Sequence, residues 1–107
     1  MPYDAPTYER HERPGGRTLV LTGELDVACV ADLRREFTAL VDEVASEALV
    51  DLSGVTFFDS SSIGALLEGQ QTATSCGKTL VLVSPSETCR RVLEIAGVAE
   101  LFEVRDS

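Results

Sequence analysis

The 107 residues predict one α/β domain with a mixed, mostly parallel sheet, opened by an antiparallel hairpin and continued by βα crossovers. Three observations predict it. From about residue 17 onward, apolar β runs alternate with stretches whose apolar residues recur at three-four spacing, the pattern of βα units. Turn and cap residues at Pro14-Gly15-Gly16, Gly77, Ser84-Pro85 and Gly97 mark the changes of period. The length supports a single hydrophobic core and is too short for two, so residues 1–107 make one domain, with 1–6 a loose N-terminus.

Residues 7–13 alternate weakly and suit an edge strand whose charges discourage further pairing. After the Pro14-Gly15-Gly16 turn, 17–22 reads as the strand that completes an antiparallel hairpin. Gly23-Glu24-Leu25-Asp26 breaks that strand, and a helix follows from 27 to about 46, with Val30, Leu33, Phe37, Leu40, Val41 and Val44 on its inner face. Asp32, Arg34, Arg35, Glu36, Asp42 and Glu43 form its solvated face, and Asp26 is placed to cap it. Residues 48–52 are a short apolar strand followed by a polar turn and two aromatics. A second helix runs from 60 to about 75, with Ile63, Leu66 and Leu67 inward, and Gly77 suits its left-handed stop. Residues 78–83 are apolar enough for a central parallel strand. Ser84-Pro85-Ser86-Glu87 starts a third helix that Gly97 ends, and 101–104 forms a last strand or a short extended piece. The order is β-β-α-β-α-β-α-β, for which right-handed crossovers are the rule.

Eighteen acids against nine bases give a net charge of −9. That argues against a nucleic-acid binder, which needs a basic face, and disfavours anionic membrane surfaces, while leaving a basic protein partner compatible. Cys29, Cys76 and Cys89 show no CxxC or other close ligand spacing. Each falls within a helical stretch, so buried or half-buried free thiols and a reducing compartment are expected. No apolar run approaches 18 residues and no signal-peptide pattern is present, so the protein is expected in the cytoplasm.

The chain is organised around residues 49–67, where an apolar strand passes through a polar turn and Phe57-Phe58 into Asp59-Ser60-Ser61-Ser62 and an amphipathic helix. Asp59 or Ser60 is the N-cap, since either side chain accepts well from the amides of the first turn. An Asp-Ser pair at a helix start is ordinarily a cap and no more. Even so, a hydroxyl there is presented to solvent, and a phosphate added to it would meet partly positive amides without partners in the helix. Ser60 is read as a regulatory phosphoacceptor rather than a nucleophile, a reading that the resemblance of the whole chain to a known family raises above a plain cap. In a mostly parallel sheet the 23–26 and 55–60 loops leave from one edge, so Asp26 and Ser60 are expected to share a surface despite their 34-residue separation.

Enzyme readings fail on the residues. His11 is the only histidine, it lies in the weakest segment, and no GxSxG elbow surrounds Ser60. Asp51 at a strand end suits a phosphoacceptor aspartate, but Thr22-Gly23-Glu24 supplies no acidic pair to bind metal beside it. A metal-binding DxSxS loop fails because Ile63 occupies the second serine position. No GxxxxGK[ST] or GxGxxG segment is present to hold a nucleotide, so no cofactor is expected.

Leu21-Thr22-Gly23-Glu24-Leu25-Asp26, then Leu49-Val50-Asp51-Leu52-Ser53-Gly54-Val55, then Phe57-Phe58-Asp59-Ser60-Ser61-Ser62-Ile63-Gly64 resembles the STAS domain, and within it the stand-alone bacterial anti-sigma factor antagonists. The resemblance implies partner switching. The unmodified antagonist binds an anti-sigma factor that is also a serine kinase, is released when the serine after the motif aspartate is phosphorylated, and is restored by a PP2C-type phosphatase. By position, Ser60 is the acceptor, Asp26 meets the kinase, and Glu24, Asp59, Ser61, Ser62 and Gly64 complete the partner-facing set, with no catalytic or metal-binding residue and a monomer or weak dimer. Ser62 stands where the family usually has glycine. A second reading of the same resemblance is a non-switching STAS scaffold, or a subunit of a signalling or lipid-transport complex.

Overall fold

Five strands lie side by side in chain order: β1 (Thr7–Arg13), β2 (Gly16–Leu25), β3 (Glu47–Phe58), β4 (Thr79–Val83) and β5 (Glu103–Arg105). β1 runs antiparallel to β2 and every later pair is parallel. The computed structural model describes residues 3–14 and 16–106; Met1, Pro2 and Gly15, which belong to the expected loose terminus and hairpin turn, lie outside the described residues. The crossovers carry α1 (Val30–Glu43), α2 (Ser60–Ser75) and α3 (Glu87–Ile95), with short 3-10 turns at Val27–Cys29 and Ala99–Leu101.

Strand alternation sorts the sheet into two faces. Leu19, Leu21 and Leu25 of β2, Ala48, Val50 and Leu52 of β3, and Leu80 and Leu82 of β4 join Leu33, Phe37 and Leu40 of α1, Ile63 and Leu66 of α2, and Cys89 and Leu93 of α3 in one core. Leu49 and Val81 are also buried but stand outside that cluster, on the other face.

Several elements depart from the sequence expectation. The Gly23-Glu24-Leu25 segment does not break β2; the strand continues to Leu25, paired all the way with β3. β3 likewise continues to Phe58 instead of ending at Leu52. The pairing register shifts between Val20 and Thr22 and again between Gly23 and Glu24, which absorbs the extra β3 residues as bulges. At the first irregularity the Asp51 carboxylate accepts from Ser53 N at 2.8 Å and from Ser53 Oγ at 2.7 Å. A polar stretch that reads as a turn is thereby kept in the sheet.

The first helix starts three residues late, behind the 3-10 turn, and ends at Glu43 rather than near Ser46. Val44 turns out into extended backbone while its side chain stays buried. Lys78 Nζ donates to the Val41 carbonyl at 2.7 Å, placing a cation at the negative end of α1. α2 has the expected bounds, and Gly77 and Gly97, at φ +72° and +75°, follow α2 and α3 as expected. Cys29 and Cys89 are buried free thiols, but Cys76 is exposed because it lies at the carboxyl end of α2, beyond the packed face.

The N-terminal segment is not loose where it is described. β1 is antiparallel, so the chain before it arrives at the carboxyl edge of β2. There Glu24 N donates to Asp4 O at 2.8 Å and Asp4 N donates to Glu24 Oε2 at 2.9 Å. Among the described residues no helix is long and apolar enough to cross a membrane.

Candidate functional site

The ends of β2 and β3 are aligned, with Leu25 paired to Phe58, so the residues that follow, Asp26 and Asp59, leave the sheet side by side. Both adopt nearly the same extended geometry, φ −127°, ψ −173° and φ −120°, ψ −178°. Both cap what comes next. Asp26 Oδ1 accepts from Ala28 N at 2.9 Å, closing the 3-10 turn; Asp59 Oδ1 accepts from Ser62 N at 3.0 Å, starting α2. The choice left open between Asp59 and Ser60 is thus resolved: Asp59 is the N-cap and Ser60 is the first residue of the helix.

Ser60 is exposed there, and Ser61 is half-buried. Gly64, one turn on and on the same helix face, has nothing within 4 Å of where a Cβ would stand, so it leaves a bare strip beside the Ser60 hydroxyl. Ser62 corrects an expectation. It is 0% exposed, and its hydroxyl donates to the Leu25 carbonyl at 2.8 Å while lying 3.2 Å from Asp59 Oδ1. A side chain committed in this way cannot present itself to a partner or accept a phosphate. Its role is internal, binding the start of α2 to the end of β2. That bond brings the two motif loops together, and Asp26 and Ser60 do lie on one edge.

Glu24 is half-buried and already engaged by the N-terminal segment. Beneath the rim, burial pushes the Cys29 thiol upward in pKa, and the thiol donates to Asp26 O at 3.2 Å, so it stays protonated and serves packing. Among the described residues no cluster of His, Cys, Asp and Glu is arranged to hold a metal ion.

Sequence reasoning missed the apolar part of this edge. Val27 is 71% exposed, Tyr3 62% and Phe57 45%. One signal was available for Phe57: adjacent aromatics in a strand must face opposite sides, so Phe57 and Phe58 cannot both be core. Residues 3–6, 23–31 and 53–67 also carry Asp4, Glu24, Asp26 and Asp59 and no Lys, Arg or His. Among the described residues none of these four acids is in an ion pair.

A family model described as "Mlab, STAS domain" matches residues 10–103. The anti-sigma F factor antagonist of Lysinibacillus sphaericus is 29% identical over 79 residues, covering 73% of this chain and 68% of the relative. Among solved structures, an anti-sigma factor antagonist from Mycobacterium paratuberculosis superposes with a TM-score of 0.85 at 20% identity, over 97% of this chain and 88% of the other. SpoIIAA, described as an anti-sigma factor antagonist and a Bacillus cell fate determinant, superposes in two forms at 20% identity. The unphosphorylated form gives a TM-score of 0.74 over 94% of this chain and 90% of the other. The phosphorylated form gives 0.68 over 94% and 92%.

Proposed function

The chain belongs to the STAS domain family, and from that premise we propose that it is an anti-sigma factor antagonist that docks through the carboxyl edge of β2 and β3 and is released by phosphorylation of Ser60. The observation that carries the proposal is the placement of Ser60: exposed, rigidly held at the first position of α2, and on the same edge as Asp26. The anti-sigma factor is itself the serine kinase. It supplies ATP, metal and base; Ser60 Oγ attacks the γ-phosphoryl group, ADP departs, and the hydroxyl proton passes to the kinase. The chain contributes only a preorganised hydroxyl. A PP2C-type phosphatase returns the phosphoserine to serine.

Release follows from charge and burial. A phosphate brings about −1.5 to −2 charge. The partner surface that meets Ser60 and the bare strip at Gly64 is matched to a neutral hydroxyl, and Asp59 and Asp26 already load the edge with negative charge. A dianion enclosed there has no counterpart, and an unpaired buried charge costs several kcal/mol. A thousandfold loss of affinity requires only about 4 kcal/mol, so release needs no refolding of the domain.

The test is to incubate the purified protein with each serine-kinase anti-sigma factor of its genome and ATP. One phosphate is expected, abolished in Ser60→Ala and retained in Ser62→Ala. Phosphorylation that survives Ser60→Ala, or a phosphoprotein that binds the kinase as tightly as before, overturns the switch. A second reading, compatible with membership of the STAS domain family, is a non-switching scaffold or a subunit of a signalling or lipid-transport complex. A stable complex with no phosphate transfer favours that reading.

A further inference from the structure

We propose that residues 3–6 form an arm of the docking surface, completing with Val27 and Phe57 an apolar patch inside an acidic rim that fits a partner face of apolar side chains ringed by Lys or Arg. The inference rests on the docking edge proposed above and adds to it a segment and a partner chemistry.

The arm is held in place by three bonds. Its backbone is paired reciprocally with Glu24, through Glu24 N to Asp4 O at 2.8 Å and Asp4 N to Glu24 Oε2 at 2.9 Å. Thr56 Oγ1 donates to Asp4 Oδ2 at 2.8 Å, tying the same residue to β3. The close approach depends on Gly23. Its φ is +86°, and a Cβ there would stand well inside van der Waals contact of the Ala5 carbonyl. The arm therefore lies across the ends of both motif strands, not free in solvent.

Its position gives it a surface role. Tyr3 stays 62% exposed next to Asp4, whose backbone is bonded to Glu24; Val27 directly follows Asp26, and Phe57 is paired across the sheet with Glu24. Three large apolar side chains are thus left in water around one edge. Among the described residues the acids between them, Asp4, Glu24, Asp26 and Asp59, are in no ion pair, and residues 3–6, 23–31 and 53–67 contain no Lys, Arg or His. Among the described residues the other exposed large apolar side chains, Ile95, Leu101 and Val104, belong to the C-terminal segment, where Arg90, Arg91 and Arg105 meet acids in ion pairs. Aromatic side chains are the usual anchors of an interface core, and a rim of one sign raises the encounter rate with a partner of the other.

The test measures association of the full chain with the kinase anti-sigma factor it binds, by interferometry at two salt concentrations. Tyr3→Ala is expected to weaken binding about tenfold, the loss of a single aromatic anchor. Asp4→Lys is expected to slow association and to flatten its salt dependence. Thr56→Val, which removes one of the arm's three bonds without changing a charge or an anchor, is expected to give a smaller loss. Ile95→Ala, an exposed apolar control away from the edge, is expected to bind as wild type. Unchanged melting curves for Tyr3→Ala separate lost contact from lost fold. If the wild type binds and Tyr3→Ala and Asp4→Lys bind equally well, the arm is no part of the surface and this inference alone fails. If the wild type binds none of the kinase anti-sigma factors, the proposed function fails and takes the arm with it.

Discussion

β3 begins with an acid, Glu47, and is followed at once by another, Asp59, and the two ends treat them differently. At its start, Glu47 receives the Arg105 guanidinium through two nitrogens, Nη1 to Oε1 at 3.0 Å and Nη2 to Oε2, and has Arg13 3.6 Å away. After its end, Asp59 is in no ion pair among the described residues and uses its carboxylate to hold the backbone and hydroxyl groups of Ser62 in α2. The Glu47 network ties β5 and β1 to the middle of the sheet, while the acids at the other end remain unneutralised around exposed apolar side chains. Within one strand, then, charge at the paired end serves cohesion, and charge at the bare end is left for encounter. Unsatisfied like charge and exposed aromatic surface both cost stability, and a fold keeps them together where something else is to cover them.

This contrast can be broken most severely at Ser62, the residue that keeps the bare end in register. Ser62→Ala removes the bond to the Leu25 carbonyl from a fully buried position, and a buried group left unsatisfied costs about 1–3 kcal/mol. Urea denaturation is expected to show the midpoint falling by the equivalent amount with an unchanged slope. A midpoint within error of wild type would mean that the two loops are held together by packing alone.

A smaller effect separates cap from charge at the neighbouring aspartates. Asp59→Ala is expected to cost about 1 kcal/mol through the lost cap, while Asp59→Asn keeps an accepting oxygen and is expected to stay within about 0.5 kcal/mol of wild type. Asp26→Ala closes only a 3-10 turn, so its cost is expected to be the lesser of the two alanine variants. Equal losses at the two caps would show that the geometric match of the two strand ends extends to their energetics.

The parts of this edge that were legible in the sequence are those signalled twice. α2 is legible at both ends because a capping pair opens it and Gly77 closes it, and the shared edge of Asp26 and Ser60 follows from parallel strand order alone. Three features were not legible, each for a physical reason. Ser53-Gly54 has the composition of a turn, yet Asp51 and two register shifts keep β3 intact through it. Ser62 lies within a serine triplet whose members look alike, and only the arrival of the end of β2 at the first turn of α2 makes the third one internal. The arm has no hydrophobic period to read, since backbone bonds to Glu24 and the space left by Gly23 hold it.

The mildest test concerns the paired end. Hydrogen bonding from Arg105, with the charges of Arg105 and Arg13 assisting, holds the Glu47 carboxyl below the ordinary glutamate range against some desolvation. A carboxyl depressed in the folded state binds fewer protons there than in the unfolded chain, so it contributes stability above its unfolded pKa. That contribution is lost as pH falls through the lower folded value. Glu47→Gln lacks this contribution at every pH. The stability gap between wild type and Glu47→Gln is therefore expected to be largest above about pH 5 and to shrink as pH is lowered from there toward 3. Glu47 is solvent-accessible and the pair is open to screening, so the gap is also expected to narrow in high salt. A gap that persists unchanged at pH 3 would place the value of Glu47 in something other than its charge, and the two ends of β3 would then differ less than their ion pairs suggest.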